Sequence, residues 1–352
     1  SMASKTKRPV EFYQAIPKVE LHRHLEGSLR VETLLEIGQD HGIIHNKQTK
    51  TLRPLVQMGE DEPYTFENFL SKFATLRSFY RSPEVIGRIT REAIEDAAKD
   101  NIRYLELRFT PVALSKAEGF PLNRVIDWVI EGAEEGQALY GVKTRLIASI
   151  NRHESTGIAR EVIQLAIDRR DRGIVGLDLA GNEADFSAKP FVGCFKEAQE
   201  AGLDITVHAG EWNGAHNVAE AIEEIGSPRI GHGVRIMEDE SVVNLAREKG
   251  TVFEVCITSN YQSGVVADLE SHPFPRMLEA GLNATLNTDD PSVSDITLSK
   301  EFRVACETLG VPLSVLRQQT LAAAQAAFLP PDEKRELIDS LRQELDQHIP
   351  QV

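Results

Sequence analysis

Cysteine is scarce in this 352-residue chain: Cys194, Cys256 and Cys306 stand far apart, with no CxxC. An odd, unpatterned set does not make a disulfide framework; it reads as reduced thiols and places the protein in the cytoplasm. No apolar run approaches the roughly 18 residues a membrane helix needs, so no membrane partner is expected. The start, SMASKTKRPVEFY, is polar and lacks the apolar centre of a secretion signal. Positive charge is short as well, with 39 Lys and Arg against 54 Asp and Glu and a formal net charge of -15. A phosphate-backbone partner needs Lys/Arg surfaces, so nucleic acid is not expected; a neutral or cationic small molecule fits better. There is no GxGxxG, no P-loop and no internal repeat. What remains, 41% hydrophobic and 26% charged, is ordinary for a globular protein with a large core.

Short apolar runs alternate with long amphipathic stretches. The runs are KVELHRH (18–24), IRYLELRFT (102–110), KTRLIASI (143–150), IVGLDLAG (174–181), LDITVHAG (203–210), PRIGHG (228–233), TVFEVC (251–256) and NATLNTDD (283–290). Their Val, Ile and Leu suit strands buried on both faces. Between them lie helices such as 82–100, with Pro83 and Glu84 in its first turn, and 192–202, closed by Gly202. Eight strand–helix units make a (β/α)8 TIM barrel the economical fold; a doubly wound open sheet is the alternative. The gap after the first strand is long. Within it, 65–80 reads as an extra helix, apolar at Phe66, Phe69, Leu70 and Phe73, which either packs in the core or lies as a lid over the barrel mouth. The tail from Pro312 to Val352 is expected to be helical and to pack outside the barrel. The whole of 1–352 reads as one domain, with 1–8 a flexible N-terminus.

In a parallel barrel the active site lies at the C-terminal ends of the strands. The first run ends in His22 and His24, two apart and so on one face. The fourth ends DLAG (178–181). The fifth leads into His208 and, three residues on, Glu211. The sixth ends at His232 between two glycines, and the eighth at Asp289 and Asp290. Polar groups thus gather at one end of an otherwise apolar barrel. Two imidazoles on one face, joined by a third histidine and a carboxylate, suit Zn²⁺ better than Fe²⁺ or Mn²⁺. A metal centre with room for water lowers that water's pKa and points to hydrolysis. Glu211 beside a ligand histidine reads as an acid/base group. Asp290 suits a helix N-cap before Pro291, a substrate contact, or both. His41, His45, His153, His216, His272 and His348 fall outside the pattern and read as solvated or structural.

VELHRHLEGSLR, DLAGNE, VHAGE, RIGHG, FEVCITSN and LNTDDPSV together resemble the adenosine deaminase family of metal-dependent amidohydrolases, from about Pro17 to about Leu337. The resemblance implies one Zn²⁺ held by His22, His24, His208 and Asp289. Asp289 would also touch the catalytic water, and His232 would orient that water and help remove its proton. Glu211 would give a proton to purine N1 as C6 becomes tetrahedral, Asp290 would bond N7, and the Gly181 N–H would meet N3. Phe69, Leu70 and Phe73 would cover the purine and ribose. The partners implied are a purine nucleoside and water, and ammonia leaves. Oligomeric state stays open.

Two positions depart from the family's pattern. Glu26, in HLEG, stands where adenosine-specific members usually carry the Asp that reaches the ribose 5′-hydroxyl. Ile257, in CITSN, replaces a proline. The resemblance therefore implies deamination of adenosine and 2′-deoxyadenosine, with adenine or a 5′-extended nucleoside such as aminofutalosine as the alternative. A non-catalytic nucleoside-binding protein is opposed by the complete set of acid/base groups. A two-metal amidohydrolase needs a bridging lysine, and none ends the third to fifth strands.

Overall fold

The computed structural model describes residues 7–44 and 49–349. Its eight parallel strands run β1 Lys18–His24, β2 Ile102–Phe109, β3 Lys143–Asn151, β4 Ile174–Ala180, β5 Asp204–Ala209, β6 Arg229–His232, β7 Val252–Val255 and β8 Asn283–Leu286, each hydrogen-bonded to the next in sequence order. The seam between the last and the first is closed just beyond β8. Arg23 and Asp289 form a parallel bridge. The Asp289 N–H donates to the His22 carbonyl at 2.9 Å, and the His24 N–H donates to the Asp289 carbonyl at 2.8 Å. The fold is a (β/α)8 TIM barrel, and its closing seam carries three of the residues singled out above. No helix among the described residues is long and apolar enough to cross a membrane.

The apolar alternate positions of the strands face the helices. Along β2, Leu105, Leu107 and Phe109 are fully buried, while Glu106 and Arg108 between them are buried just as deeply. Here the expectation of an apolar barrel interior fails. Below the strand ends the interior is an ionic network. Glu254 of β7 accepts from Arg108 Nη2 at 3.0 Å, Arg229 Nε at 2.7 Å and Thr206 Oγ1 at 3.0 Å. Glu106 pairs with Arg229 Nη2 at 2.8 Å. Breaking one partner of such a set leaves a buried charge uncompensated, so it fixes orientation more than it adds stability.

The gap after β1 holds the helices Val31–Asp40, Thr49–Val56 and Phe66–Leu76 before the crossover helix Pro83–Lys99. Thr65 caps the third through its hydroxyl, which accepts the Asn68 N–H at 3.2 Å. Ser82 caps the fourth in the same way ahead of Pro83. At the other end of the chain, helices Leu313–Ala326 and Pro331–His348 flank a turn that stoppers the N-terminal end of the barrel. The Phe328 N–H donates to Glu106 Oε2 at 2.7 Å, and the Phe328 ring lies 3.7 Å from the Arg229 guanidinium carbon. The tail thus packs outside the barrel against β8 and β1, and its turn also closes the bottom. Of the N-terminal stretch 1–8, residues 1–6 lie outside the described residues; the Arg8 N–H donates to Glu307 Oε2 at 3.1 Å.

One buried carboxyl outside the site anchors it. Glu301 accepts the Thr258 N–H at 3.1 Å and is bonded by the Thr258 hydroxyl, which pins the start of helix Ile257–Gln262. Burial pushes its pKa from 4.5 up to about 7. A raised folded-state pKa gives stability that is complete below about 4.5 and is lost as pH rises through about 7. Glu301→Gln removes that slope. Relative to the wild type, the variant gains on the order of 3 kcal/mol between pH 4.5 and pH 8, read from denaturant unfolding at the two pH values. A difference that does not vary with pH would refute this assignment.

Candidate active site

The residues at the strand ends converge. His22 and His24 project from alternate positions of β1, their ring centroids 5.1 Å apart. Asp289 Oδ1 lies 3.0 Å from the Nε2 of each. Asp289 Oδ2 accepts from Ser259 Oγ at 2.7 Å and lies 3.6 Å from His232 Nε2. One ligand-type atom from each of His22, His208, His232 and Asp289 falls within 4.8 Å of the others, and His24, Asp289 and Asp290 form a second such group. The four-member group thus holds three of the four ligands expected from sequence, with His232 in place of His24, and His24 joins the cluster through Asp289. His232 and Asp289 both adopt left-handed backbone, φ 65° and 66°. For a non-glycine residue this costs on the order of 1–3 kcal/mol and places the side chain where a regular strand would not.

A second ring of groups orients these side chains. His22 Nδ1 faces Glu254 Oε1 at 2.8 Å, and His208 Nδ1 faces Asp178 Oδ1 at 2.8 Å. Asp178 is steadied by Ser149 Oγ at 2.8 Å and Arg108 Nη1 at 3.3 Å. Burial pushes both carboxyls up, but for Asp178 the His208 and Arg108 charges, and for Glu254 Arg108, Arg229 and His22, hold them far below the usual range. They stay ionised, accept the Nδ1 protons, and leave the two Nε2 lone pairs facing the cluster, the arrangement that tunes metal-binding imidazoles. Burial likewise pushes Asp289 up, but the three histidines around it outweigh that and keep it a carboxylate.

Glu211 sits on the turn after β5, its Oε2 3.3 Å from His232 Nε2. The turn is built on Glu183. Its carboxylate accepts the N–H groups of Gly210, Glu211 and Trp212 at 3.1, 2.6 and 2.6 Å, and Asn217 Nδ2 at 2.9 Å. Gly210 has φ +69°, and a Cβ there would lie 2.7 Å from Val218 Cγ2. Burial, then the charges of Asp289 and Glu183, raise the Glu211 pKa well above its ordinary value.

Asp290 is buried against Gly27, where a Cβ would come within 2.0 Å of its Oδ1. That Oδ1 has no hydrogen-bond partner, and the side chain makes no cap bond to helix Pro291–Ser294. Burial and Asp289 raise its pKa far above 3.8. Glu26 accepts the Thr110 N–H at 3.0 Å, and burial pushes it up to about 7.

Glu26, Glu211, Asp290 and Gly181 line a cavity of about 350 Å³. Its other wall is Phe66, Phe69, Leu70 and Phe73 with Trp212, and Phe66 packs on Trp212 with ring centroids 4.1 Å apart. Helix Phe66–Leu76 buries Phe69, as core packing requires, and lines the mouth, where Leu70 stays 45% exposed. Glu183, Glu254, Ser259, Asn260 and Trp212 were missed, and Asp178 was noticed without a role. The signal for the polar ones is faint, a lone charged residue inside an apolar run such as TVFEVC or a polar residue within DLAGNE or CITSN, and nothing in the sequence marks Trp212. Of the remaining histidines, His41 and His216 are exposed, His348 is half-buried, and His153 is exposed but lines the cavity mouth. His272 is buried, and His45 lies outside the described residues.

A TIM barrel with imidazoles and carboxylates gathered at the C-terminal ends of its strands belongs to the class of barrel enzymes with a histidine–aspartate centre of the metal-binding kind. More narrowly, the chain belongs to the adenosine deaminase family, whose profile its residues 17–344 match. It is 38% identical over 323 residues to an adenosine deaminase of Shigella flexneri, covering 92% of this chain and 96% of that one. Among solved structures it resembles a zinc-bound amidohydrolase from Burkholderia ambifaria, with TM-score 0.88, 26% identity, and 98% and 96% of the two chains covered. An adenine deaminase from Arthrobacter aurescens superposes with TM-score 0.86 at 27% identity, covering 94% and 99%.

Proposed function

We propose that the chain is a cytoplasmic, zinc-dependent hydrolase of purine salvage that converts adenosine and 2′-deoxyadenosine to the inosines and ammonia. The observation that carries this is the placement of two buried carboxyls, Glu211 and Asp290, in one cavity beside the histidine–aspartate cluster, where burial and Asp289 raise the pKa of each. The donor set fits zinc: imidazole nitrogens already oriented by Glu254 and Asp178, and one ionised carboxylate. His22, His24, His208 and Asp289 would hold it, one ion in the single barrel domain. When bound, zinc lowers the pKa of water toward neutrality.

The chain's own groups account for the rest. The purine ring is a poor electrophile at C6 until N1 is protonated. Glu211 stays a carboxylic acid and gives that proton as C6 becomes tetrahedral. Asp290 lines the cavity, and with its pKa raised by burial and by Asp289 it would bond N7 as a carboxylic acid without repelling the ring. Gly181 faces N3 from the end of β4. His232 orients the water whose oxygen bonds C6; Asp289 Oδ2 accepts the proton that water sheds and passes it to the 6-amino nitrogen, which leaves as ammonia as the C6 hydroxyl returns a proton to Glu211. Phe66, Phe69, Phe73 and Trp212 exclude bulk water. The three cysteines are buried and form no disulfide, which suits a reducing compartment.

Glu26 decides the substrate. Uncharged below about pH 7, its carboxyl both donates and accepts, which suits a ribose 5′-hydroxyl. A panel of adenosine, 2′-deoxyadenosine, 5′-deoxyadenosine, adenine and aminofutalosine, scored by ammonia release from zinc-loaded protein, tests this. Adenosine and 2′-deoxyadenosine lead, and 5′-deoxyadenosine falls at least about tenfold in kcat/KM because Glu26, with only the Thr110 N–H left, loses its partner in the substrate. A second reading, a 5′-extended nucleoside, is favoured by Arg77 and His153. Both line the mouth, and among the described residues neither side chain makes a hydrogen bond or ion pair. A lead for aminofutalosine or adenine would overturn the adenosine assignment and keep the chemistry.

A further inference from the structure

Behind His232 runs a buried chain of hydrogen bonds that the chemistry above does not use. The Phe274 N–H donates to His272 Nδ1 at 3.0 Å. His272 Nε2 lies 3.0 Å from Asn260 Oδ1, and Asn260 Nδ2 lies 3.0 Å from His232 Nδ1. His232 Nε2 then points into the site, 3.3 Å from Glu211 Oε2. His272, Asn260 and His232 are all buried, at 2%, 0% and 1% exposure.

The chain has one polarity. A backbone N–H only donates, so His272 Nδ1 must accept. Burial keeps His272 neutral, its pKa pushed down to about 3, so its single proton is on Nε2 and goes to Asn260 Oδ1. That fixes the carboxamide with its NH₂ toward His232. His232 Nδ1 therefore accepts, and its proton stands on Nε2. Reversing any link would bury two donors or two acceptors face to face.

We infer that His272 and Asn260 are positioning residues: they fix the tautomer of His232 from outside the site, making it a hydrogen-bond donor toward the reacting water and neither a metal ligand nor a proton acceptor. The water's place beside His232 rests on the function proposed above. The contrast with its neighbours is the point. His22 and His208 present Nδ1 to carboxylates, which only accept, so their Nε2 lone pairs are open to a metal. His232 presents Nδ1 to an amide donor, so its Nε2 has no lone pair to offer. Three imidazoles clustered within 4.8 Å are sorted by what stands behind each, and the remaining metal position falls to His24. The inference also revises the expectation that His232 helps to take the water's proton.

The test is the ring-nitrogen ¹⁵N spectrum of zinc-loaded protein, with His232 assigned by its loss in His232→Gln. The wild type shows His232 protonated at Nε2. In Asn260→Asp a carboxylate, which only accepts, faces Nδ1 and the proton moves there. That variant keeps its zinc and, within a few-fold, its KM. Its kcat falls at least about 10²-fold, compared with about 10⁴ for a wrong imidazole tautomer in a serine-protease triad. His272→Leu drifts the same way. His272→Gln, which restores an N–H near the lost Nε2, recovers the Nε2–H signature and most of the turnover. A wild-type His232 protonated at Nδ1, or an Asn260→Asp spectrum still showing Nε2–H, overturns the inference. So does wild-type kcat in His272→Leu. If no purine is turned over by the wild type, the proposed function fails and the spectra still decide the relay.

Discussion

Glu211→Gln is expected to keep the bound metal and the affinity for a purine nucleoside while losing turnover by about 10³-fold or more. The substitution is nearly isosteric, and the turn that carries it does not depend on the side chain. Glu183 holds Gly210, Glu211 and Trp212 by their backbone N–H groups. What the variant lacks is a transferable proton. General acid–base groups contribute typically 10²–10⁴-fold, and this one is poised by burial and by Asp289 to stay protonated where ordinary carboxyls are ionised. The loss should appear equally in kcat and kcat/KM, because the proton moves only on the way to the transition state. Steady-state kinetics, with zinc content and product affinity measured on the same preparation, decide it. Turnover within tenfold of wild type would remove Glu211 from the acid role.

The alternation that revealed the barrel also revealed the ends of its strands, because a period of two and a run of Val, Ile and Leu are local properties. His22 and His24 were legible for that reason, and so were His208, Glu211, His232 and Asp289 once the runs were placed in order. The orienting groups were not. Glu254 touches His22 across 232 positions of sequence, and Asp178 touches His208 across 30. No periodicity carries such a pairing. The charged interior was misjudged for a related reason. Glu106 and Arg108 alternate with Leu105 and Leu107, which reads locally as a strand with one polar face, and only barrel closure turns that face inward against Arg229 and Glu254. His272 looked like a bystander because its importance lies in the polarity it transmits through Asn260.

His22→Ala is expected to leave less than about a tenth of the wild-type zinc per chain and, with it, almost no activity. The side chain offers its Nε2 to the cluster only because Glu254 holds Nδ1, and Glu254 is itself fixed by Arg108 and Arg229. Removing the imidazole takes away one donor nitrogen and leaves Asp289 Oδ1 with His24 alone. The ionic layer beneath remains paired, so the barrel should fold. Chelation of the wild type makes the companion case, since every side chain is kept and only the ion goes. A ligand at a thousandfold excess over its Kd stabilises the folded state by about 4 kcal/mol, so the stripped protein should melt several degrees lower, and added zinc should restore both Tm and turnover. In His22→Ala, added zinc should restore neither. Full zinc content in that variant would take His22 out of the shell. It would put His232 back as a candidate ligand, which the donor facing its Nδ1 forbids, so the metal assay on one residue also bears on the tautomer of another.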